Sequence, residues 1–128
     1  MASILVVDDD TNVLRIIESI LQQDGHEVAC ATDGRLGIRT FKEVNPDLAI
    51  IDIIMPNQEG LETIIELRAL EPALPIIAMS VGIRSSIADF LTMSLELGAS
   101  EILRKPFDRQ ELRAMVRRLL QGGALETP

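Results

Sequence analysis

The chain has 128 residues, of which 47% are hydrophobic and 2% aromatic, and its formal net charge at pH 7 is -8. A single domain of this length buries a core large enough to fold without disulfides or structural metal ions. The negative charge argues against binding to nucleic acid or to anionic lipid, and the scarcity of aromatic side chains argues against base stacking.

Short apolar runs alternate with amphipathic segments along the chain. The first run, Ile4 to Val7, is too short for a helix and contains no polar residues, which is typical of a strand covered on both faces. Similar runs at 48–51 and 74–79 indicate further buried strands. The pattern predicts strands at about 3–8, 26–31, 47–52, 75–80 and 101–104, and a last helix over about 108–121.

The segments between these strands have helical spacing. In the third helix, for example, the apolar positions are Leu61, Ile64, Ile65 and Leu70. Asp10 or Thr11 is placed to cap the first helix, and Gly25 is placed to end it. The alternation predicts a three-layer α/β fold, in which a doubly wound five-stranded parallel sheet carries helices on both faces. We expect one domain over residues 1–122 and a frayed tail over 123–128.

One cysteine and one histidine restrict the available chemistry. Cys30 has no partner for an internal disulfide, and His26 is the only imidazole. Because neither has the neighbours of a zinc site or of a Ser-His-Asp triad, we expect both to be structural. The N-terminus lacks a signal-peptide pattern and no apolar run has the length of a membrane span, so a cytoplasmic protein is expected.

Groups that can do chemistry end four of the five predicted strands or come directly after them. They are Asp8 and Asp9 for the first, Asp52 for the third, Ser80 for the fourth and Lys105 for the fifth. Ligands of parallel sheets bind at the carboxyl ends of the strands, so Asp9 and Asp52 converge if the first and third strands are neighbours. Carboxylates that lie so close need a cation among them, and oxygen ligands at this density suit Mg²⁺.

The chemistry of this cluster favours phosphoryl transfer. It contains no base to activate a hydroxyl, but a carboxylate is itself a nucleophile that forms an acyl phosphate. A metal ion and an ammonium group would neutralise the transferring oxygens. Asp10 has a different expected role, because an Asp between a strand and a helix is most often a helix cap.

Four motifs stand in fixed order along the chain. They are ILVVDDD at 4–10, PDLAIIDIIMPNQEG at 46–60, PIIAMS at 75–80 and GASEILRKPF at 98–107. Through them residues 3–120 resemble the receiver domain of bacterial two-component response regulators. The resemblance implies a flavodoxin-like sheet of strand order 2-1-3-4-5 with five helices. It also implies a phosphoprotein of a phosphorelay that acts as a signalling switch and not as an enzyme.

The resemblance also implies a role for each site residue. Asp52 is the expected phosphoacceptor, and its donor is a phosphohistidine on a sensor histidine kinase or a phosphotransfer protein. Asp8 and Asp9 are the expected Mg²⁺ ligands, together with Asp52 and the backbone carbonyl of Ile54. Lys105 is expected to pair with the phosphoryl group and to precede a cis peptide bond to proline.

Ser80 stands where the family has a hydroxyl that moves toward the phosphoryl group. By the resemblance, this movement changes the face formed by the fourth helix, fifth strand and fifth helix, which a downstream target protein reads. No DNA-binding pattern follows residue 120, so we expect no direct contact with nucleic acid and no contact with membranes. The expected oligomeric state is a monomer or a phosphorylation-dependent dimer.

Several positions depart from the family pattern. Ile102 stands where an aromatic switch residue is usual, and Val81 stands where a small residue is usual. Ile54 and Gly82 offer no polar group to orient a hydrolytic water, which predicts slow self-dephosphorylation. The segment from Ser80 to position 105 is a few residues longer than usual. Its apolar residues form a surface patch or, as we favour, pack on the sheet; they are Ile87, Phe90 and Leu91.

Two other functions remain open at this point. The D-x-D pattern after the first strand also fits a haloacid dehalogenase-like phosphatase with Asp8 as nucleophile, although Thr11 is displaced by one position and no later acidic pair is evident. The second alternative is a docking module that keeps the fold without being phosphorylated.

Overall fold

The computed structural model describes residues 2–56, 59–81 and 92–122, and for Val81 it describes the backbone alone. The strands are β1 (Ser3–Val7), β2 (Glu27–Ala31), β3 (Leu48–Asp52), β4 (Ile76–Val81) and β5 (Glu101–Lys105). The helices are α1 (Thr11–Gln23), α2 (Gly34–Val44), α3 (Glu59–Leu70), α4, described over 92–97, and α5 (Arg109–Leu120). The predicted element types are confirmed, with strand ends shifted by about one residue.

The five strands form one parallel sheet in the order β2-β1-β3-β4-β5, as predicted. β1 pairs with β2 on one side and with β3 on the other. β3 continues the sheet to β4, where Asp52 lies opposite Met79. The carboxyl ends of β1, β3 and β4 are therefore adjacent at one edge.

The apolar side chains of β1 point alternately into two hydrophobic cores, one on each face of the sheet. Ile4 and Val6 pack with the buried faces of α1 and α5, whereas Leu5 and Val7 pack with those of α2 and α3. All four side chains have no exposed surface. Burial of such a side chain stabilises the fold by roughly 1.5–3 kcal/mol, which explains why the buried part of β1, residues 4–7, includes no polar residue.

The apolar stripe predicted for the third helix is wrong in two positions. Ile65 and Leu70 are among the exposed large hydrophobic residues of the described chain, and Leu67 is buried instead. The buried stripe of α3 therefore follows Leu61, Ile64 and Leu67, which is the spacing of an ordinary helix face.

Aspartates cap three of the helices, α1, α2 and α5, that begin at the edge where β1 and β3 end. The Asp10 carboxylate accepts a hydrogen bond from the Asn12 N–H at 2.9 Å, which confirms its predicted role at the start of α1. Asp33 and Asp108 cap α2 and α5 in the same way. At the other end of α1, Gly25 adopts a positive φ of 88°, a conformation that favours glycine.

Some predictions concern residues that the structure does not describe. They are the effects of Gly82 and the Val81 side chain, the placement of Ile87, Phe90 and Leu91, and the tail at 123–128. Among the described ranges, none of the helices has the length and apolarity needed to cross a membrane.

Candidate functional site

Three carboxylates meet where β1 and β3 end. Asp8 and Asp9 follow the last residue of β1, and Asp52 is the last residue of β3. One carboxylate oxygen from each lies within 4.8 Å of the others. Asp8 is fully buried and Asp52 is 4% exposed, whereas Asp9 faces solvent. The cluster is thus buried on the sheet side and open on the side of Asp9.

Lys105 brings a cation to the two buried carboxylates. Its Nζ lies 2.7 Å from Asp8 Oδ2 and 3.6 Å from Asp52 Oδ2. Lys105 ends β5, and the peptide bond that follows it is cis, as the resemblance implied. One ammonium group therefore serves two carboxylates, and its shorter contact is with Asp8.

Backbone N–H groups complete the hydrogen bonding of the same carboxylates. The Asp10 N–H donates to Asp8 Oδ1 at 2.8 Å, and the Ile54 N–H donates to Asp52 Oδ1 at 3.0 Å. These donors come from the chain segments just after β1 and β3. The two loops thereby hold each carboxylate in a fixed direction.

The electrostatic environment of Asp52 disfavours its charge. Burial raises the pKa of Asp52 to about 7, and the neighbouring charge of Asp8 adds to the rise. The Lys105 ammonium and the Ile54 N–H oppose these effects without cancelling them. The described groups therefore leave negative charge that a further cation would stabilise.

The donor set fits Mg²⁺. All three side chains offer oxygen, which is the ligand that this hard cation prefers, and the open side leaves room for its retained waters. Ile54 lies two residues beyond Asp52 and its N–H bonds that carboxylate. The role predicted for the Ile54 carbonyl as a ligand stays a prediction.

Ser80 lies on the neighbouring strand, at the same edge of the sheet. It is fully buried near the end of β4, one residue beyond Met79, the register partner of Asp52. On its other side Ser80 is in register with Arg104 of β5. The sheet therefore places Ser80 at the same edge as the acidic cluster, on the strand beside that of Asp52.

Ile102 and Ile54 have similar surroundings. Both are partly buried and pack against the core between the sheet and the α2 and α3 helices. The resemblance implies an aromatic residue at position 102 whose ring turns between a buried and an exposed position. The branched aliphatic side chain of Ile102 has no ring and cannot make this movement.

Gly60 supports the site although sequence reasoning gave it no role. It lies in the first turn of α3, where its Cα faces the backbone of Asp52 and Ile53. A methyl group on Gly60 would lie 2.5 Å from the Ile53 Cα and closer still to the Asp52 carbonyl oxygen. The motif PNQEG contains this glycine, but only the fold shows which backbone it touches.

Glu59 ties the start of α3 to α2. Its carboxylate accepts a hydrogen bond from the Gly34 N–H at 2.9 Å, and its carbonyl accepts one from the buried Thr63 hydroxyl at 2.6 Å. The connection from Asp52 to α3 is therefore anchored where it enters the helix, at Glu59.

His26 and Cys30 have structural surroundings. His26 Nδ1 accepts a hydrogen bond from the Ala2 N–H at 3.2 Å. Burial raises the pKa of the Cys30 thiol to about 11, with a smaller contribution from Glu18, so the thiol is unreactive near neutral pH.

Comparison with known proteins gives a consistent result. The family model of the response regulator receiver domain matches residues 4–117. The transcriptional regulatory protein PrrA of Mycobacterium tuberculosis is 42% identical over 118 residues, which are 92% of this chain and 49% of PrrA. The regulatory protein AtoC of Escherichia coli is 36% identical over 118 residues, which are 92% of this chain and 25% of AtoC.

The solved structures agree with the curated relatives. A CheY-like response regulator receiver domain protein from Methanospirillum hungatei superposes with a TM-score of 0.86 at 28% identity, and the match covers 96% of both chains. The chain spans about a quarter to a half of the length of the two curated relatives named above.

Proposed function

Because the chain belongs to the family of response regulator receiver domains, we propose that it is a phosphoryl-accepting switch with Asp52 as the nucleophile. An Asp52 carboxylate oxygen attacks the phosphorus of a phosphohistidine on a partner protein. The new P–O bond forms as the P–N bond breaks, and the leaving imidazole nitrogen takes up a proton. The product is an acyl phosphate on Asp52.

One observation carries this proposal. Asp52 is the carboxylate that lies at a strand end with a second buried carboxylate, an exposed carboxylate and a shared ammonium group around it. Mg²⁺ bound by Asp8, Asp9 and Asp52 would neutralise charge on the transferring oxygens. Lys105, 3.6 Å from Asp52, would stabilise the phosphoryl oxygens once they are attached.

The partners follow from the same chemistry. The donor is a sensor histidine kinase or a phosphotransfer protein, because the acceptor carboxylate needs an activated phosphoryl group. Ser80 would then approach the phosphoryl oxygen and change the face of α4, β5 and α5. That face would bind a downstream target, either another protein or a further domain such as the relatives carry.

Mapping the modified residue tests the proposal. The protein is incubated with acetyl phosphate, with and without Mg²⁺, and the acyl phosphate is trapped by reduction and located by peptide mass spectrometry. We expect Mg²⁺-dependent modification of Asp52. Modification of Asp8 would instead support a haloacid dehalogenase-like phosphatase, and no modification at all would support a docking module.

Ile54→Asn is expected to shorten the lifetime of the phosphorylated protein. The wild-type side chain is partly buried and apolar, so it offers no hydrogen bond to an attacking water. An amide that orients this water with about 1 kcal/mol of hydrogen-bond energy would speed hydrolysis about fivefold. The measurement is the decay of the acyl phosphate after removal of acetyl phosphate.

Ile54→Val is the matched control, because it keeps an apolar side chain and should leave the decay rate within about twofold of wild type. An unchanged or longer lifetime in Ile54→Asn would contradict the role given to the missing polar group.

A further inference from the structure

Arg68 connects α3 to the turn between α4 and β5. Its Nε and Nη2 both donate to the Gly98 carbonyl, at 3.1 and 2.6 Å. Its Nη1 donates to the carbonyls of Pro72 at 2.8 Å and Glu71 at 3.2 Å. One guanidinium group therefore holds the end of its own helix and the end of the next one.

Gly98 is shaped to receive this contact. It adopts a φ of 131°, which favours glycine, and a methyl group there would lie 3.0 Å from Arg68 Cγ and Nε. The Gly98 N–H also donates to the Ser94 carbonyl, and α4 ends just before Gly98. The carbonyl that Arg68 binds thus belongs to the residue that terminates α4.

The same turn is bound to the start of β4. The Ser100 N–H donates to the Ile76 carbonyl at 2.7 Å, and the Ile76 N–H donates to Ser100 Oγ at 3.1 Å. Ile76 is the first residue of β4, whereas Ser80 lies near its last. The anchored turn is therefore at the opposite end of the sheet from Asp52.

The guanidinium group depends on these carbonyls. Arg68 is partly buried, so water solvates its charge incompletely, and this burial lowers the pKa of its guanidinium group. Three carbonyls supply the missing hydrogen bonds. A lysine ammonium at this position would keep the charge but has a single nitrogen, so it would not bridge Gly98 and Pro72 together.

We propose that Arg68 is a positioning residue that holds the turn at 98–100 fixed whether or not Asp52 is phosphorylated. The response to phosphorylation would then be confined to the part of the α4, β5 and α5 face nearer Asp52. The part of this inference that concerns the phosphorylated protein rests on the proposed function. The part that concerns the unphosphorylated protein rests on the contacts of Arg68 alone.

Amide hydrogen exchange tests both parts. Exchange at residues 98–100 is measured with and without acetyl phosphate and Mg²⁺, and intact mass reports how much of each sample is phosphorylated. In the wild-type protein we expect these rates to agree within about twofold between the two states. In Arg68→Gln we expect them to rise about tenfold without phosphorylation and to change further on phosphorylation.

Two further variants make the result specific. Arg39→Gln removes an exposed arginine of α2 and is expected to leave exchange at 98–100 unchanged. Arg68→Lys is expected to behave like Arg68→Gln, because charge without bridging does not hold the turn. Full rescue by lysine would overturn the proposal.

The remaining outcomes are equally decisive. Unchanged exchange at 98–100 in unphosphorylated Arg68→Gln would overturn the anchoring role, as would an equal rise throughout α1 and α5. A phosphorylation-dependent change at 98–100 in the wild-type protein would overturn the claim of a fixed turn and needs no variant. Absence of added mass in the wild-type sample would instead contradict the proposed function. The comparison of unphosphorylated wild type with unphosphorylated Arg68→Gln would still test the anchoring role.

Discussion

Asp52→Asn is expected to lower phosphoryl incorporation from acetyl phosphate by at least about 100-fold, because an uncharged amide is a poor nucleophile and does not form an acyl phosphate. The variant retains Asp8, Asp9 and Lys105, so much of the electrostatic surroundings remains. Incorporation is measured as the fraction of protein with increased intact mass after a fixed time in Mg²⁺. Asp10→Asn is the control, since Asp10 caps α1 and should change incorporation less than about threefold.

The same substitution is expected to stabilise the metal-free protein at neutral pH. The pKa of Asp52 is about 7 in the folded protein, against an ordinary value of 3.8, so the folded state binds more protons between these two pH values. The free energy of unfolding therefore falls as pH rises through this interval, with a slope of at most about 1.4 kcal/mol per pH unit. An asparagine does not titrate and removes this fall.

Urea unfolding in EDTA at pH 5 and pH 8 measures the effect. We expect Asp52→Asn to be more stable than wild type at pH 8, and we expect this advantage to be larger at pH 8 than at pH 5 by on the order of 2 kcal/mol. Added Mg²⁺ should stabilise wild type and reduce the difference. Parallel pH profiles for the two proteins would contradict the elevated pKa, and a loss of stability would mean that lost phosphorylation reflects lost structure.

Gly60→Ala is expected to destabilise the protein by about 3 kcal/mol or to prevent folding, because a methyl group there overlaps the backbone of Asp52 and Ile53. Backbone atoms of a buried strand end have no other rotamer to adopt. Either α3 moves away from the sheet or the end of β3 shifts, and the second change would also displace the Asp52 carboxylate. Thermal or urea unfolding measures the loss, and phosphoryl incorporation by the folded fraction measures the displacement.

Gly37→Ala is the matched control for this prediction. It also places a methyl group in a helix next to the sheet, but the nearest atom is a methyl of the Val7 side chain, at 2.8 Å. The side chain yields more easily than backbone, and alanine gains about 1 kcal/mol of helix propensity over glycine. We expect a loss below about 1 kcal/mol, so an equal loss in both variants would show that glycine replacement as such is responsible.

The sequence predicted most of the fold because burial on both faces leaves a clear pattern. Continuous apolar runs such as Ile4 to Val7 identify strands, and parallel topology then brings their following residues to one edge. Asp9 and Asp52 were expected to converge if β1 and β3 are neighbours, the resemblance added Asp8, and oxygens of all three lie within 4.8 Å of one another. The stripe of α3 was mistaken at Ile65 and Leu70, because this helix has large apolar residues on its exposed side as well as on its buried one.

The contacts that join distant segments could not be predicted in the same way. No spacing rule states that Lys105 approaches Asp8 more closely than Asp52, or that Arg68 bonds the carbonyl of Gly98. These distances depend on how helices sit on the sheet, which is decided by the packing of many side chains at once. A glycine such as Gly60 leaves no side-chain signal, so its contact with the Asp52 backbone appears only in the folded chain.

The alternation of β1 between two cores has a consequence for how this protein tolerates change. Replacement of one aliphatic residue by another leaves Ile4 and Val6 on one face and Leu5 and Val7 on the other. Loss or gain of a single residue would exchange the faces and would also turn the following carboxylate, Asp8, away from Asp52. Homologous proteins should therefore differ in which aliphatic residue occupies each position of β1 but not in the length of this strand.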